Sequence, residues 1–265
     1  MENIGGYLVS GLIGISLGLI GGGGSIITIP MLVYLFHIAP AAATTYSLFI
    51  VGTTSLVGGV RSAMNRMVDL KGAVLFSIPS TAAVFFTRHN LLPLIPDTII
   101  TSDYFSLTKN IAIMVFFSLV MLIASIRMIR DKSREGDENR LVRHNFFMIV
   151  LQGLVVGIIT GLVGAGGGFL IIPALVLFTG LPMKKAIGTS LVVIAVNSLI
   201  GFIGDLDLVR EVNFRLMILL SGIAIAGVFM GAYMSKFMKG KALRAGFGWF
   251  TLTMAVYIMI KEVVI

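Results

Sequence analysis

The chain has 265 residues, 57% of them hydrophobic and 12% charged, with a mean hydropathy of +1.02. A soluble domain is about 45–50% apolar and about 25% charged, and a disordered chain needs low hydrophobicity and high charge, so both classes are excluded and the chain reads as an integral membrane protein. It has no cysteine, which removes disulfides, thiolate catalysis, iron–sulfur clusters and cysteine zinc sites.

In chain order, polar or glycine-rich breaks separate ten apolar segments, near 4–20, 25–38, 43–60, 72–87, 108–129, 145–163, 168–180, 186–203, 214–235 and 243–264. Most approach the roughly 20 residues that a bilayer-spanning helix requires. The second and seventh are too short to cross squarely, which leaves open whether 25–38 and 168–180 span or re-enter. Before the first segment, Met1-Glu2-Asn3 lacks the basic start of a cleavable signal peptide. The strongly charged stretch falls at the midpoint, from Arg127 to His144. The expected organisation is a first membrane repeat at 1–129, a charged cytoplasmic linker at 130–144 and a second repeat at 145–265.

The two halves match at an offset of 143 without a gap from Leu8 to Gly58. Gly14/Gly157, Gly18/Gly161, Gly21/Gly164, Pro30/Pro173, Ser47/Ser190 and Ser55/Ser198 fall in one register. Apolar bias repeats leucines and isoleucines; it does not align glycines, a proline and serines, so the chain contains an internal repeat. If the linker is cytoplasmic and the breaks alternate sides, fifteen of the twenty Lys and Arg lie inside and five outside. That bias is the positive-inside rule, and it explains the formal charge of +8 without nucleic acid. With an odd number of segments per half, the second half enters from the opposite side. The expected fold class is therefore an all-α polytopic protein of two inverted repeats, with broken or re-entrant helices at the glycine motifs, an architecture typical of carriers.

Those motifs are Gly21-Gly22-Gly23-Gly24-Ser25, followed by Pro30, and Gly164-Ala165-Gly166-Gly167-Gly168, followed by Pro173. Glycine runs break helices and let backbone approach a ligand. A helix restarting after such a run presents unpaired N–H groups and a positive dipole end to an anion. Gly22, Gly23, Gly24, Ser25, Gly166, Gly167 and Gly168 are accordingly candidate substrate contacts. A second reading is open, in which the glycines make turns or allow close helix packing. The rows Ser10/Gly14/Gly18 and Gly153/Gly157/Gly161 just upstream are read as packing.

About twenty residues beyond each motif come Thr45 and Ser47, then Thr189, Ser190 and Asn197. Hydroxyls and an amide can hold oxyanion oxygens without an intramembrane charge, or can serve only to bond helices together. Asp69, Lys109, Asp205, Asp207 and Glu211 fall at segment ends or in loops on this reading. Arg61 is the nearest basic candidate for drawing an anion in, or an ordinary cytoplasmic anchor. A negative-inside potential of 100 mV favours outward movement of an anion by about 2.3 kcal/mol per charge. A chain without a buried proton relay therefore leans towards export. His37, His89 and His144 are scattered, so no metal and no cofactor is expected, and no catalytic constellation is visible.

On the glycine breaks, Pro30, Pro173 and the stretches Ala43-x-x-x-Ser47 and Ala186-Ile187-Gly188-Thr189-Ser190, the chain resembles the TauE/SafE family of sulfite and organosulfonate exporters and related permeases. The resemblance covers essentially the whole chain. It implies a polytopic inner-membrane transporter of sulfur-containing anions such as sulfite or sulfonates, with the paired motifs on Gly21–Ser25 and Gly164–Gly168. The half-motifs differ, since Ser25 faces Gly168 and Gly22 faces Ala165. The expected partners are a small anionic substrate and the lipid bilayer. An anion channel, or a carrier of another small solute such as a carboxylate, is the alternative, and substrate, direction, coupling ion and oligomeric state are left open.

Overall fold

The structure is a computed structural model that describes residues 4–96, 98–102, 105–130, 146–163, 168–178, 181–205 and 213–263. Residues 131–144 of the charged linker and four glycine-motif residues, 164–167, lie outside the described residues. Each of the ten apolar segments holds one main helix. These are α1 (Ile4–Ile20), α2 (Gly23–Tyr34), α3 (Pro40–Met64), α4 (Leu70–Phe86), α6 (Lys109–Arg130), α7 (Phe146–Val163), α8 (Gly168–Phe178), α9 (Met183–Gly204), α10 (Phe214–Ser235) and α11 (Gly240–Val263). A π-helical turn at Thr87–Leu91 prolongs α4, and a single turn, α5 (Leu92–Leu94), follows it. The connection to α6 then forms a short antiparallel hairpin of β1 (Thr98–Ser102) and β2 (Phe105–Thr108). The β-branched run Thr98-Ile99-Ile100-Thr101 suits a strand, and it is an addition to the all-helical expectation.

Among the described residues six helices are long and apolar enough to cross a membrane: α3, α4 with its π turn, α6, α9, α10 and α11. Helices α1 and α7, of 17 and 18 residues, are near the lower limit for a crossing. At 12 and 11 residues, α2 and α8 are only about 16–18 Å long and cannot cross. Leu8, Leu12, Ile78, Phe147, Ile218 and Trp249 are among many large apolar side chains left exposed. In water such a surface would aggregate, whereas in lipid it is the expected outer face.

Small residues set the helix pairing. A Cβ on Gly14 or Gly18 would collide with the backbone carbonyls of Ala224 and Val228, so α1 lies directly on α10 and runs parallel to it. Likewise Gly153, Gly157 and Gly161 lay α7 along α4, against Phe76, Ser80 and Thr87 in turn. The upstream glycine rows therefore pack helices, as their spacing suggested. In the centre α3 lies antiparallel to α9, with Gly52 opposite Leu199 and Gly58 opposite Leu191.

Helices α3 and α10 are parallel, since Tyr46 meets Asn213 and Gly58 meets Val228. The same holds for α4 and α9, through Asp69 with Thr189 and Arg88 with Asp205. Thus α1, α3 and α10 run one way and α7, α9 and α4 the other. Each helix opposes its counterpart at the sequence offset.

The short helices turn back. Phe36, just after α2, lies against Gly6 at the start of α1, so the α1–α2 hairpin begins and ends on one side. Helix α8 starts beside Ile194, halfway along α9, and ends at Phe178, a few residues before α9 begins at Met183. The two short segments therefore re-enter.

Candidate functional site

The two hairpins meet at their tips. Gly21 adopts a φ of +82°, a left-handed conformation that glycine takes at little cost, and this turn reverses α1 into α2. Gly22 caps α2 without any side-chain cap, and a Cβ there would collide with the carbonyl oxygen of Gly168. On Gly168 a Cβ would lie 2.7 Å from Ile194 Cδ1 and 3.0 Å from Gly22 Cα. The N-termini of α2 and α8 are thus in contact, with their dipoles converging. Gly23, Gly24 and Ser25 occupy the first turn of α2, and Gly24 is packed against Leu17 and the Ile13 carbonyl. Gly166 and Gly167 lie outside the described residues. At Gly22, Gly24 and Gly168 the absence of a side chain is used for close backbone approach in this conformation.

Near that contact is a cavity of about 270 Å³. Ile187, which lines it, packs on Gly21, the neighbour of Gly22. Arg61, Lys184 and Lys236 line it, together with Ser62, Asn65 and Ser235. Arg61 is held in place: its guanidinium carbon stands 5.1 Å from the centre of the Phe229 ring, and Nη1 donates to the Phe229 carbonyl oxygen at 3.4 Å. Among the described residues no Asp or Glu lines the cavity, so three cations from α3, α9 and the end of α10 give it a positive field. Sequence reading singled out Arg61 alone; it is the packing of the helices that brings Lys184 and Lys236 beside it.

The polar residues of α3 and α9 divide by role. Asn197 donates from Nδ2 to Ser80 Oγ at 2.6 Å and accepts from Thr81 Oγ1 at 2.6 Å, so it bridges α9 to α4. Ser190 donates back to the Ile187 carbonyl at 2.8 Å. Thr189 Oγ1 accepts the Asp69 backbone N–H at 2.9 Å. The Tyr46 hydroxyl, at the corresponding position in the first half, accepts the Asn213 backbone N–H at 2.7 Å. These two bonds tie the starts of α4 and α10 to the opposite half in the same way. Ser47 is fully buried, and its hydroxyl has no hydrogen-bond partner among the described residues.

Thr45 donates to Asp205 Oδ2 at 2.9 Å, and that oxygen also lies 2.8 Å from Arg88 Nη1. Arg88 Nη2 in turn donates to Thr44 Oγ1 at 2.8 Å. The ion-pair side chains are 2% and 5% exposed. Asp205 stands at a segment end, as expected, but it is buried there in an ion pair. The π turn carries Arg88 onward within the helical stack, and Asp205, capping α9, turns inward to meet it. The cluster stands at the end opposite the basic cavity, where α3 begins and α4 and α9 end. Among the described residues no three His, Asp or Glu side chains are grouped as metal ligands.

A family model described as "Sulfite exporter TauE/SafE" matches residues 7–261. A probable membrane transporter protein of Xylella fastidiosa (strain Temecula1) is 27% identical over 256 residues, covering 94% of this chain and 92% of its own. The probable membrane transporter protein YunE of Bacillus subtilis (strain 168) is 27% identical over 251 residues, covering 89% and 88%. YdhB of the same organism, also named a probable membrane transporter protein, is 26% identical over 241 residues, covering 90% and 92%. No solved structure matches.

Proposed function

The chain belongs to the sulfite exporter TauE/SafE family of membrane transporters, and from that premise we propose that it carries small anions, sulfite or organosulfonates, outward across the cytoplasmic membrane. The observation that carries this reading is the cavity lined by Arg61, Lys184 and Lys236, whose lining residue Ile187 packs on Gly21, next to the contact of the α2 and α8 N-termini. A cation-lined, partly desolvated recess concentrates anions, and two converging helix N-termini offer the next station a positive field.

Sidedness follows from charge. Arg61, Arg66, Lys71, Lys184, Lys185, Lys236 and Lys239 lie around the ends of α3, α4, α9 and α10 that surround the cavity, and the positive-inside rule assigns that end to the cytoplasm. The described conformation is then open inward and closed at the Arg88–Asp205 end. Rocking of one half against the other would close the cavity and part the far end, moving the anion past Gly22 and Gly168 by alternating access. The membrane potential drives an anion outward by about 2.3 kcal/mol per charge per 100 mV, so this direction requires no coupling ion. Sulfite flux from proteoliposomes under an imposed potential tests the reading. Saturable flux that responds to the potential supports it, and a wild-type protein that passes no sulfur oxyanion overturns it.

A further inference from the structure

The closed end contains a buried guanidinium flanked by two threonine hydroxyls around a carboxylate. We propose that Arg88, Thr44 and Thr45 form a second oxyanion-binding site, and that Asp205 occupies it as an internal substitute for the transported anion while that end is closed. The inference rests on the transport reading and extends it to the exit side.

Three observations carry it. First, the site already holds an oxyanion: Asp205 Oδ2 takes both Arg88 Nη1 at 2.8 Å and the Thr45 hydroxyl at 2.9 Å, while Arg88 Nη2 bonds Thr44. Second, the fork is underused. A guanidinium binds oxyanions best through two parallel donors, yet Asp205 meets it through Nη1 alone, and Nε has no hydrogen-bond partner among the described residues. A sulfonate or sulfite group, with three oxygens, can take donors that one Asp oxygen leaves over.

Third, the position is the counterpart of the cavity. At the offset of 143, Thr44, Thr45 and Asp205 correspond to Ile187, Gly188 and Ser62. Asp69 and Asn213 open α4 and α10 and make equivalent bonds, so the offset there is 144 and Arg88 corresponds to Ala232. All four counterparts line the open cavity. The cradle therefore stands where a cavity would form if the two halves exchanged conformations.

An ion pair suits such a place for a physical reason. Taking charges out of water is expensive, and a buried pair gains little over an apolar plug of the same shape. It separates more readily than that plug, because water or an anion can solvate each opened charge. When the far end parts, Asp205 leaves with α9 and the travelling anion takes its place on Arg88. On closing, Asp205 competes for the guanidinium and expels the anion.

The test is sulfite binding to the purified full chain in detergent, followed by thermal melting and calorimetry, with sulfite flux measured on the same preparations. Asp205→Asn removes the competitor, so its Kd for sulfite falls at least about tenfold below wild type, and its melting temperature rises more steeply with sulfite. Arg88→Gln/Asp205→Asn loses that gain. Equal Kd in the three proteins overturns the site.

Should the lone Arg88 prevent Asp205→Asn from folding, the swap Arg88→Asp/Asp205→Arg decides. It keeps both charges but moves the cation away from Thr44, so it folds and its flux drops at least about tenfold; undiminished flux in the swapped protein overturns the site, since an ion pair that serves only to hold helices together would tolerate the exchange. Wild-type protein that carries no sulfite, beside an Asp205→Asn protein that binds it, overturns the transport reading and leaves the oxyanion site standing.

Discussion

Gly22 and Gly168 are in van der Waals contact at the tips of two hairpins that enter the protein from opposite sides, close enough that a Cβ on Gly22 would overlap the Gly168 carbonyl oxygen. Both residues open a helix, so the contact brings two positive helix ends together, and Ile187 of the basic cavity packs on the adjoining Gly21.

Adding a side chain at that contact separates the tips. Gly22→Val is expected to cost about 1–3 kcal/mol of stability through overpacking and to abolish flux. Gly222, around which a Cβ meets nothing within 4 Å, provides the control: Gly222→Ala melts and transports as wild type. Thermal melting and vesicle flux on the three proteins check this.

Arg61 acts on the anion through charge. Its side chain is only partly buried and its partner is a carbonyl, so Arg61→Gln should change the melting temperature little. The KM for sulfite should rise about tenfold, with a weaker dependence on ionic strength. Concentration series at low and high salt measure both effects.

Asn197 is predicted to matter for stability and not for affinity. Asn197→Ala leaves Ser80 and Thr81 without their shared partner, at a cost of about 1–3 kcal/mol. A lower melting temperature with an unchanged KM is the expected result. A raised KM would return Asn197 to the substrate contacts.

The ten helices, the glycine breaks and the offset of 143 were legible in the sequence because each has a local signature: apolar length, helix-breaking glycines and matched small residues. Shortness also marked α2 and α8, although only the contact of Phe36 with Gly6 settled that α1–α2 turns back. The Arg88–Asp205 pair had no such signature. Its partners are 117 residues apart, and each stands at the edge of an apolar segment, where a charge is ordinarily a loop residue. What buries Arg88 is the π turn at Thr87–Leu91, and no residue type in Thr-Arg-His-Asn-Leu announces one. The cavity was hidden for a similar reason: Arg61, Lys184 and Lys236 belong to three helices, and their convergence is a property of packing.

Breaking the ion pair on one side strands a buried charge. Arg88→Met should destabilise the protein by about 3–5 kcal/mol, whereas Arg88→Met/Asp205→Leu recovers most of that loss. Chemical or thermal melting of wild type, single and double variants gives the comparison.

The cysteine-free chain allows the sidedness to be mapped with single thiols. Ser62→Cys, in the basic cavity, is expected to react with a membrane-impermeant maleimide added from the cytoplasmic side and to be protected by sulfite. Thr45→Cys, fully buried at the far end, is expected to react slowly from either side. Labelling of Ser62→Cys from the outside would reverse the assigned orientation.

The most direct test of the account is sulfite efflux from proteoliposomes holding the wild-type chain, with and without an inside-negative potential, and beside Gly22→Val. The account predicts saturable efflux that the potential accelerates and that Gly22→Val loses while remaining folded and inserted. Wild-type vesicles that release no sulfur oxyanion, or a Gly22→Val protein that releases it as fast as wild type, would contradict it.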